Sequence, residues 1–202
     1  MNRIDEPGTR DRALELLSSE GVVVLPTDTQ YGLHAAVSSS AGVERIRELK
    51  GGEPGRRFVL LAASIEMVDR YVASFGCASR EGLSRRWPSP LTVILPAGPR
   101  CPSWIGDTVA VRIPKLPELC EIVESLGEPI VSTSVNLSGQ PPANDPADIE
   151  KRFEVDFVVA DVAPGNPNRA STIVDLCGES PRVVRRGDYD WSAAAGASNP
   201  SK

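Results

Sequence analysis

The side chains best suited to hold a ligand lie in one short stretch, residues 129–139, which reads PIVSTSVNLSG. It begins as an apolar strand and then presents four hydroxyls and one amide, on Ser132, Thr133, Ser134, Asn136 and Ser138. Open α/β sheets bind ligands at strand ends, where such donors and acceptors converge. The same composition fits an ordinary Ser/Asn turn, whose side chains bond their own backbone, equally well. Taken alone, this stretch leaves both interpretations open.

A second stretch with chemical potential is the loop KGGEPGRR at residues 50–57, which combines three glycines with three cations. Glycine lets the backbone approach a ligand closely, and lysine and arginine supply charge and donors for phosphates. The loop is not a P-loop, because no Gly-Lys-Ser/Thr follows the glycines. By itself it also fits a solvated loop with cations near a helix end.

Charged residues at the ends of apolar strands indicate anion binding more directly. Arg112 is flanked by valine and isoleucine in a predicted strand, so its guanidinium must reach solvent or meet an anion. Arg185 and Arg186 end the last predicted strand in a similar way. The exit of the first predicted strand carries a further polar cluster, Thr27, Asp28, Thr29 and Tyr31. Taken alone, that cluster reads as a turn initiated by proline.

The sequence disfavours hydrolytic and metal-dependent chemistry. His34 is the only histidine and no Gly-x-Ser-x-Gly elbow is present, so a Ser-His-Asp hydrolase is not expected. No group of His, Cys, Asp and Glu has the spacing of metal ligands, so we expect no built-in metal site. The four cysteines form no CxxC pair, which favours reduced thiols in a cytoplasmic protein.

The composition is that of a globular protein, with 41% hydrophobic and 24% charged residues among 202. No apolar run approaches the roughly 20 residues that a bilayer requires, and the polar residues 1–12 are not a signal peptide. The net charge is −5, whereas proteins that wrap nucleic acid are usually basic. Any contact with RNA should therefore be local or transient, and a monomer is the default expectation.

Helical and strand patterns alternate along the chain. Apolar residues at helical spacing predict helices at 10–19 with Thr9 as cap, 40–50 with Ser40 as cap, 64–72, 117–126 and 145–153. Apolar runs predict strands at 22–25, 58–62, 91–95, 108–113, 157–160, 172–176 and 182–185, besides the one that opens residues 129–139. This order predicts one three-layer α/β domain on a mixed parallel and antiparallel sheet over residues 1–190. We expect residues 191–202 to be a disordered tail.

Taken together, these stretches resemble the YrdC-like family, the threonylcarbamoyl-AMP synthases of tRNA modification. The matching segments are LPTDTQYGL at 25–33, LKG at 49–51, WPSPLT at 87–92, VAVRIP at 109–114, STSVNLSG at 132–139, STIVD at 171–175 and RRG at 185–187. Their order and spacing match from about Leu14 to Gly187. The chain resembles the single-domain members, which lack an additional C-terminal domain.

The resemblance implies a twisted mixed sheet flanked by helices, with a concave and positively charged cleft. It implies an enzyme that joins L-threonine, bicarbonate and ATP into threonylcarbamoyl-AMP and pyrophosphate. A tRNA threonylcarbamoyl transferase complex would then pass the threonylcarbamoyl group to the adenosine beside the anticodon. Mg²⁺ is expected with the nucleotide, held mainly by phosphates and water.

The resemblance also assigns roles to single residues. Lys50 and Arg56 would bind ATP and act in catalysis, with Lys50 on phosphate. The other expected contacts to the nucleotide are Thr92, Ser132, Ser134, Asn136 and Arg185. The expected threonine pocket consists of Thr27, Tyr31, Arg112 and Ser171. Arg112 would pair the threonine carboxylate, because a guanidinium matches a carboxylate with two hydrogen bonds. The carbamate of threonine would itself attack the α-phosphate, so the protein would act by positioning and by offsetting charge.

The chain also departs from the family pattern. Gly52 stands where many members have an arginine on phosphate, and His34 and Ser89 stand where glycine is common. Arg56 or Arg57 could replace the missing guanidinium, because glycines loosen the loop. These departures leave an alternative function open, namely a family member that binds nucleotide, or weakly binds tRNA or double-stranded RNA, with little or no synthase activity.

Overall fold

The computed structural model describes residues 2–52, 55–160 and 169–192. Within them the strands are β1 (Val23–Leu25), β2 (Gly32–Ala36), β3 (Val59–Leu61), β4 (Leu91–Pro96), β5 (Thr108–Arg112), β6 (Ile130–Ser134), β7 (Phe157–Val158), β8 (Thr172–Asp175) and β9 (Arg182–Arg185). The helices are α1 (Pro7–Ser18), α2 (Ser40–Leu49), α3 (Ile65–Asp69), α4 (Arg80–Ser84), α5 (Pro117–Leu126) and α6 (Pro146–Arg152).

These strands form a single sheet in the order β7-β1-β2-β6-β3-β5-β4-β8-β9. The pairs β1/β7, β3/β5 and β4/β8 are parallel, and the remaining pairs are antiparallel. The mixed sheet flanked by helices confirms the predicted fold class. None of the described helices has both the length and the apolar character to cross a membrane.

The two faces of the sheet differ in polarity because successive side chains along a strand point to opposite faces. One row of cross-strand partners is entirely apolar and buried: Ala35, Val131, Leu60, Val111, Val93 and Val174. Helix α2 packs on this face, since a Cβ at Gly42 would lie 2.8 Å from that of Ala35. The next row, on the opposite face, is mixed and consists of His34, Ser132, Val59, Ala110 and Ile94. This mixed face carries the candidate site.

Several helix boundaries differ from the predicted ones for local reasons. Helix α1 begins at Pro7 rather than at residue 10, because proline fits the first helical position, and Glu6 rather than Thr9 precedes it. Helix α2 is capped by Ser39 rather than Ser40, since the Ser39 hydroxyl accepts a hydrogen bond from Gly42 N at 2.9 Å. The short helix α4 was not predicted.

Strand β2 was also missed, and it lies inside the sheet. Its sequence, GLHAA, contains glycine, histidine and alanines, none of which favours strands strongly. It forms nevertheless because it pairs antiparallel with β1 on one side and β6 on the other. Tertiary pairing therefore overrides weak local preference.

The predicted disordered tail at 191–202 falls mostly outside the described residues. Of its first two residues, Trp191 packs beneath Arg86, whose guanidinium carbon lies 4.5 Å from the centroid of a ring of the indole. Residues 53 and 54 of the basic loop are likewise outside the described part of the chain.

Candidate functional site

The mixed face of the sheet forms the floor of a cleft of about 280 Å³. We call it the polar cleft, and its lining includes Thr27, Thr29, Tyr31, Gly32, Arg56, Arg57, Arg112, Ser132, Ser134, Ser171 and Arg185. Ligand pockets usually measure roughly 300–1,000 Å³, so this cleft is close to the lower end of that range. Eight of the eleven predicted site residues line it. The other three, Lys50, Thr92 and Asn136, are each hydrogen-bonded to a lining residue.

The end of β6 and the turn that follows it form one wall of the polar cleft. Ser132 and Ser134 line the polar cleft. Asn136 serves the turn, since its Oδ1 accepts a hydrogen bond from Ser134 Oγ at 2.6 Å and its Nδ2 donates to Gln140 O at 2.6 Å. The turn interpretation is thus confirmed, and the Ser134 hydroxyl that Asn136 holds lines the cleft, while a ligand at this strand end stays a prediction.

Lys50 lies behind this wall rather than in it. The side chain follows α2 and is almost fully buried. Its ammonium donates to Ser134 O at 2.7 Å and to Asn136 Oδ1. Burial lowers the pKa of Lys50 to about 8, and the nearby charge of Arg56 contributes. As the structure stands, this cation positions the β6 turn.

Arg112 is the deepest cation of the polar cleft, with 4% of its surface exposed. Its guanidinium donates to Thr29 Oγ1 at 3.1 Å and lies 3.5 Å from Asp28 Oδ1. The other carboxylate oxygen of Asp28 accepts from Lys115 N at 3.0 Å. Burial lowers the pKa of Arg112, while the Asp28 carboxylate opposes that shift. Of the two alternatives that the sequence left for Arg112, solvent or an anion, the structure shows an anion, the Asp28 carboxylate.

Arg185 supplies a second guanidinium from the end of β9. It donates to Ser171 O at 2.9 and 3.0 Å and to Ser171 Oγ at 3.1 Å. Ser171 Oγ is in turn 2.8 Å from the buried Thr92 Oγ1. Burial lowers the pKa of Arg185, and the positive charge of Arg112 lowers it further. The two guanidiniums therefore repel each other, and the Asp28 carboxylate pairs only with Arg112. The uncompensated positive charge of Arg185 makes this part of the cleft favourable for an anion.

The loop between β1 and β2 closes the cleft on a further side. Thr27 Oγ1 accepts hydrogen bonds from Thr29 N at 3.1 Å and Gln30 N at 3.2 Å, and it donates to Gln30 O at 2.7 Å. Tyr31 is buried beside it. This is the proline-initiated turn expected from the sequence, and it also brings two predicted residues to the cleft.

Eight lining residues are not among the site residues assigned from the sequence: Thr29, Gln30, Gly32, Arg57, Val59, Thr133, Ala170 and Ile173. Of these, Arg57 was named only as a possible replacement for the guanidinium that Gly52 lacks. Gly32 is needed because a Cβ there would lie 2.6 Å from His34 Nε2. Arg57 reaches Thr108 Oγ1 at 2.6 Å. His34 itself is fully buried, and burial lowers its pKa to about 4, so it is neutral near pH 7. Its Nδ1 lies 3.2 Å from Val131 O.

An apolar recess of about 180 Å³ adjoins the polar cleft, and the two share Arg57, Val59 and Ile173. Its other lining residues are Phe58, Ile94, Trp104, Ile105, Thr108, Val109, Ala110 and Val184. The Phe58 and Trp104 rings meet edge to face, 6.4 Å apart. A recess with aromatic walls beside a cationic cleft suits a ligand with one flat apolar part and one anionic part.

No cluster of three or more His, Cys, Asp and Glu side chains that could hold a metal ion occurs in the described part of the chain. The polar side chains that line the cleft carry hydroxyls, guanidiniums and an amide, and the nearby Asp28 carboxylate already contacts Arg112 and Lys115. A divalent cation would therefore need its ligands from a bound substrate and water.

The sequence matches one family model, described as telomere recombination (Sua5/YciO/YrdC), over residues 15–187. The chain is 36% identical over 173 residues to the threonylcarbamoyl-AMP synthase of Klebsiella pneumoniae, covering 83% of this chain and 91% of that protein. Its structure is similar to E. coli YciO, with a TM-score of 0.81 and 26% identity over 94% of each chain. It is also similar to P. abyssi Sua5 complexed with L-threonine, with a TM-score of 0.81, 28% identity, and coverage of 90% of this chain and 55% of Sua5.

Proposed function

The chain belongs to the Sua5/YciO/YrdC family, and from that premise we propose that it is a threonylcarbamoyl-AMP synthase. The enzyme condenses L-threonine, bicarbonate and ATP into threonylcarbamoyl-AMP, pyrophosphate and water. The observation that carries the proposal is the polar cleft, where Arg112 and Arg185 face strand-end hydroxyls. A cleft with excess positive charge suits a reaction that brings two anions together.

Threonine occupies the deep part of the cleft in this proposal. Arg112 pairs the carboxylate with two hydrogen bonds, and Asp28 keeps the guanidinium oriented through the 3.5 Å contact. Thr27 and Tyr31 enclose the side chain of the substrate from the β1–β2 loop. Ser171, held by Arg185 and Thr92, offers a hydroxyl on the opposite side.

ATP occupies the part of the cleft that leads to the apolar recess. Arg56, Arg57 and Arg185 lie along the path of the triphosphate, and Ser132 and Ser134 supply hydroxyls from β6. The adenine ring enters the recess whose lining includes Phe58 and Trp104, where apolar side chains bury part of the ring. The supporting observation is that the two cavities meet at Arg57.

Lys50 and Asn136 act on the nucleotide through the β6 turn. To contact phosphate directly, the Lys50 ammonium would exchange its bond with Ser134 O for a phosphate oxygen, which is a stronger acceptor. Thr92 contributes by fixing Ser171. Each of these roles is part of the proposal.

The chemistry requires positioning rather than a protein nucleophile. A carbamate oxygen of the threonine adduct attacks the α-phosphorus, and the bond from that phosphorus to the pyrophosphate oxygen breaks. Guanidiniums at the phosphates offset the charge that develops on the equatorial and leaving oxygens. Mg²⁺, when it accompanies ATP, is held by phosphate and water oxygens and adds positive charge at the phosphates.

A steady-state assay tests the synthase proposal. Purified protein should release pyrophosphate from ATP only when L-threonine and bicarbonate are both present. Pyrophosphate release that is independent of threonine, or none at all, would contradict it. The alternative, a nucleotide- or RNA-binding member without this activity, would instead show binding of ATP or RNA with steep salt dependence and no turnover.

The test includes the binding-only alternative because Gly52 stands where many family members have an arginine on phosphate. It has a φ of +69°, and a Cβ there would meet no atom within 4 Å, so the loop leaves room but favours glycine. Arg56 and Arg57 both line the cleft, which supports the idea that they replace the missing guanidinium. Arg56 donates to Ser138 Oγ at 2.6 Å, beside Lys50. We therefore expect Gly52→Arg to change turnover less than Arg56→Gln.

The remaining parts of the proposal concern the cellular setting. The product would pass to a tRNA threonylcarbamoyl transferase complex in the cytoplasm. Any weak contact with tRNA or double-stranded RNA would involve the cleft cations, because the chain as a whole carries a net charge of −5.

A further inference from the structure

Two exposed cysteines meet at the end of the sheet that faces away from the polar cleft. Cys177 follows β8 at its far end, whereas Ser171, at the near end, lines the cleft. Cys77 lies in the segment after α3. Its backbone N–H donates to Leu176 O at 2.9 Å, so the two cysteines are brought together although they are far apart in the sequence. Neither forms a disulfide in the structure, and the Cys177 thiol donates a hydrogen bond to Ile94 O at 3.7 Å.

This approach depends on the glycine that precedes Cys77. Gly76 has a φ of +62°, which L side chains rarely adopt. A Cβ at Gly76 would lie 1.9 Å from Leu176 O, closer than any real contact. Only glycine therefore allows the turn to lie directly on the end of β8.

The backbone hydrogen bond brings the two cysteines near the separation that a disulfide requires. A hydrogen bond from Cys77 N to the carbonyl preceding Cys177 holds the two α-carbons within about 7 Å. Disulfides join α-carbons that are roughly 4.4–6.8 Å apart. Partial burial raises the pKa of Cys177, and Asp175 and the Cys77 thiol raise it further.

The other two cysteines provide an internal contrast. Cys101 and Cys120 are half-buried. The Cys101 thiol donates to Tyr71 O at 3.0 Å and the Cys120 thiol to Pro114 O at 3.4 Å. Burial raises the pKa of both thiols, that of Cys120 to about 11. They should react slowly with electrophiles.

We propose that Cys77 and Cys177 form a reversible dithiol–disulfide site that exchanges with low-molecular-weight disulfides. The Cys77 thiolate attacks one sulfur of the small disulfide and displaces one small thiol, leaving a mixed disulfide on Cys77. Cys177 then gives its proton to solvent and attacks the Cys77 sulfur, which expels the second small thiol. Two protein thiols are oxidised and one small disulfide is reduced to two thiols. The site does not depend on the synthase function.

The test uses the reduced full-length protein and oxidised glutathione at mildly alkaline pH. After quenching with an alkylating agent, mass spectrometry without reductant should find two cysteines unalkylated, no retained glutathione, and a proteolytic fragment that joins residues 77 and 177. Glutathione retained on both Cys77 and Cys177, or full alkylation of both, would overturn the proposal.

Three variants make the result specific. Cys177→Ser should trap a stable glutathione adduct on Cys77, because the resolving thiol is missing. The double variant Cys101→Ser/Cys120→Ser should crosslink like the unmodified protein. Gly76→Ala should crosslink at least ~10-fold more slowly, because its Cβ pushes the turn away from Leu176. If Gly76→Ala remains folded by circular dichroism and crosslinks at the original rate, the proposed geometry is wrong.

Discussion

At the scale of single residues, the polar cleft depends on two guanidiniums that differ in their partners. Arg112 is held by Asp28 and Thr29, whereas Arg185 is held by neutral oxygens of Ser171. An arginine with a fixed carboxylate is pre-oriented, and one bound to neutral groups keeps its charge available. The first suits recognition of a carboxylate in one orientation, and the second suits a phosphate whose position changes during the reaction.

Arg112→Lys tests the proposed contact with the threonine carboxylate. Lysine keeps the charge but loses the two-pronged donor geometry, so we expect kcat/KM for threonine to fall by on the order of 10²-fold. The affinity for ATP should change little. Steady-state kinetics with each substrate varied in turn would show the difference. Arg182→Lys is the matched control, because Arg182 pairs with Asp175 on the surface with 76% of its side chain exposed. A loss of ATP affinity as large as that of threonine would argue against the assignment.

The pH dependence of activity should report Lys50. Its folded pKa is about 8, well below the ordinary 10.5, mainly because the side chain is buried. The charged form that bonds Ser134 and Asn136 is therefore lost as the pH rises through about 8. We expect kcat/KM to decline above that pH and the decline to move to higher pH in Lys50→Arg. A profile that is flat to pH 10 in the original protein would show that the charge of Lys50 is not required.

Some residues of the site could be identified from the sequence alone, and others could be understood only from their neighbours in the structure. Arg112 and Arg185 were identifiable because a charge at the end of an apolar strand needs a partner. The buried position of Lys50 was not, because the burial comes from the turn after β6, which is distant in the sequence. Gly32 became meaningful only when His34 was seen beneath it.

At the scale of elements, the strands that carry the site were predicted except for β2. Helix α5 was predicted with its exact bounds, because Pro117 and Gly127 mark both ends and its apolar stripe is regular. Strand β2 lacks β-branched residues, and its place in the sheet follows from pairing on both sides. Element boundaries that local residues such as proline and glycine determine could thus be predicted. Elements that form only through pairing with distant strands could not.

Gly32→Ala tests how tightly β2 packs in the floor of the cleft. The new Cβ would lie 2.6 Å from Nε2 of the fully buried His34 ring, so the ring must shift to admit it. We expect a loss of about 1–3 kcal/mol in the free energy of unfolding, measured by urea denaturation. Adding His34→Ala should restore part of it, since that change removes the clashing ring.

Gly8→Ala is the matched control, because it makes the same Gly-to-Ala change at a position where a Cβ has room. Gly8 lies in α1, where a Cβ would meet nothing within 4 Å. Alanine should leave stability unchanged or raise it by less than the roughly 0.5–1 kcal/mol of a helix interior, because Gly8 lies in the first turn. If Gly32→Ala were as well tolerated as Gly8→Ala, the floor of the cleft would be looser than the contact distance indicates.

At the scale of the whole molecule, the polar cleft draws its walls from distant parts of the chain. The β1–β2 loop, β5, β6 and the β8–β9 pair each contribute a lining side chain, and the loop at 50–57 contributes two cations. These elements occupy most of the width of the sheet in the order β1-β2-β6-β3-β5-β4-β8-β9. A ligand in the cleft therefore contacts strands from both halves of the sheet, and its binding energy should stabilise the fold as a unit.

This coupling can be measured as a ligand-dependent shift of the melting temperature. A ligand present at 100 times its Kd adds about 2.7 kcal/mol to the free energy of unfolding, which for a chain of this size corresponds to roughly 5–10 °C. We expect ATP and L-threonine each to raise Tm by differential scanning fluorimetry. In Arg112→Lys the shift with threonine should be much smaller while the shift with ATP remains, and in Arg56→Gln the reverse should hold. Because both variants alter cations of one cleft, equal loss of both shifts in either variant would mean that the two substrates do not occupy separate parts of it.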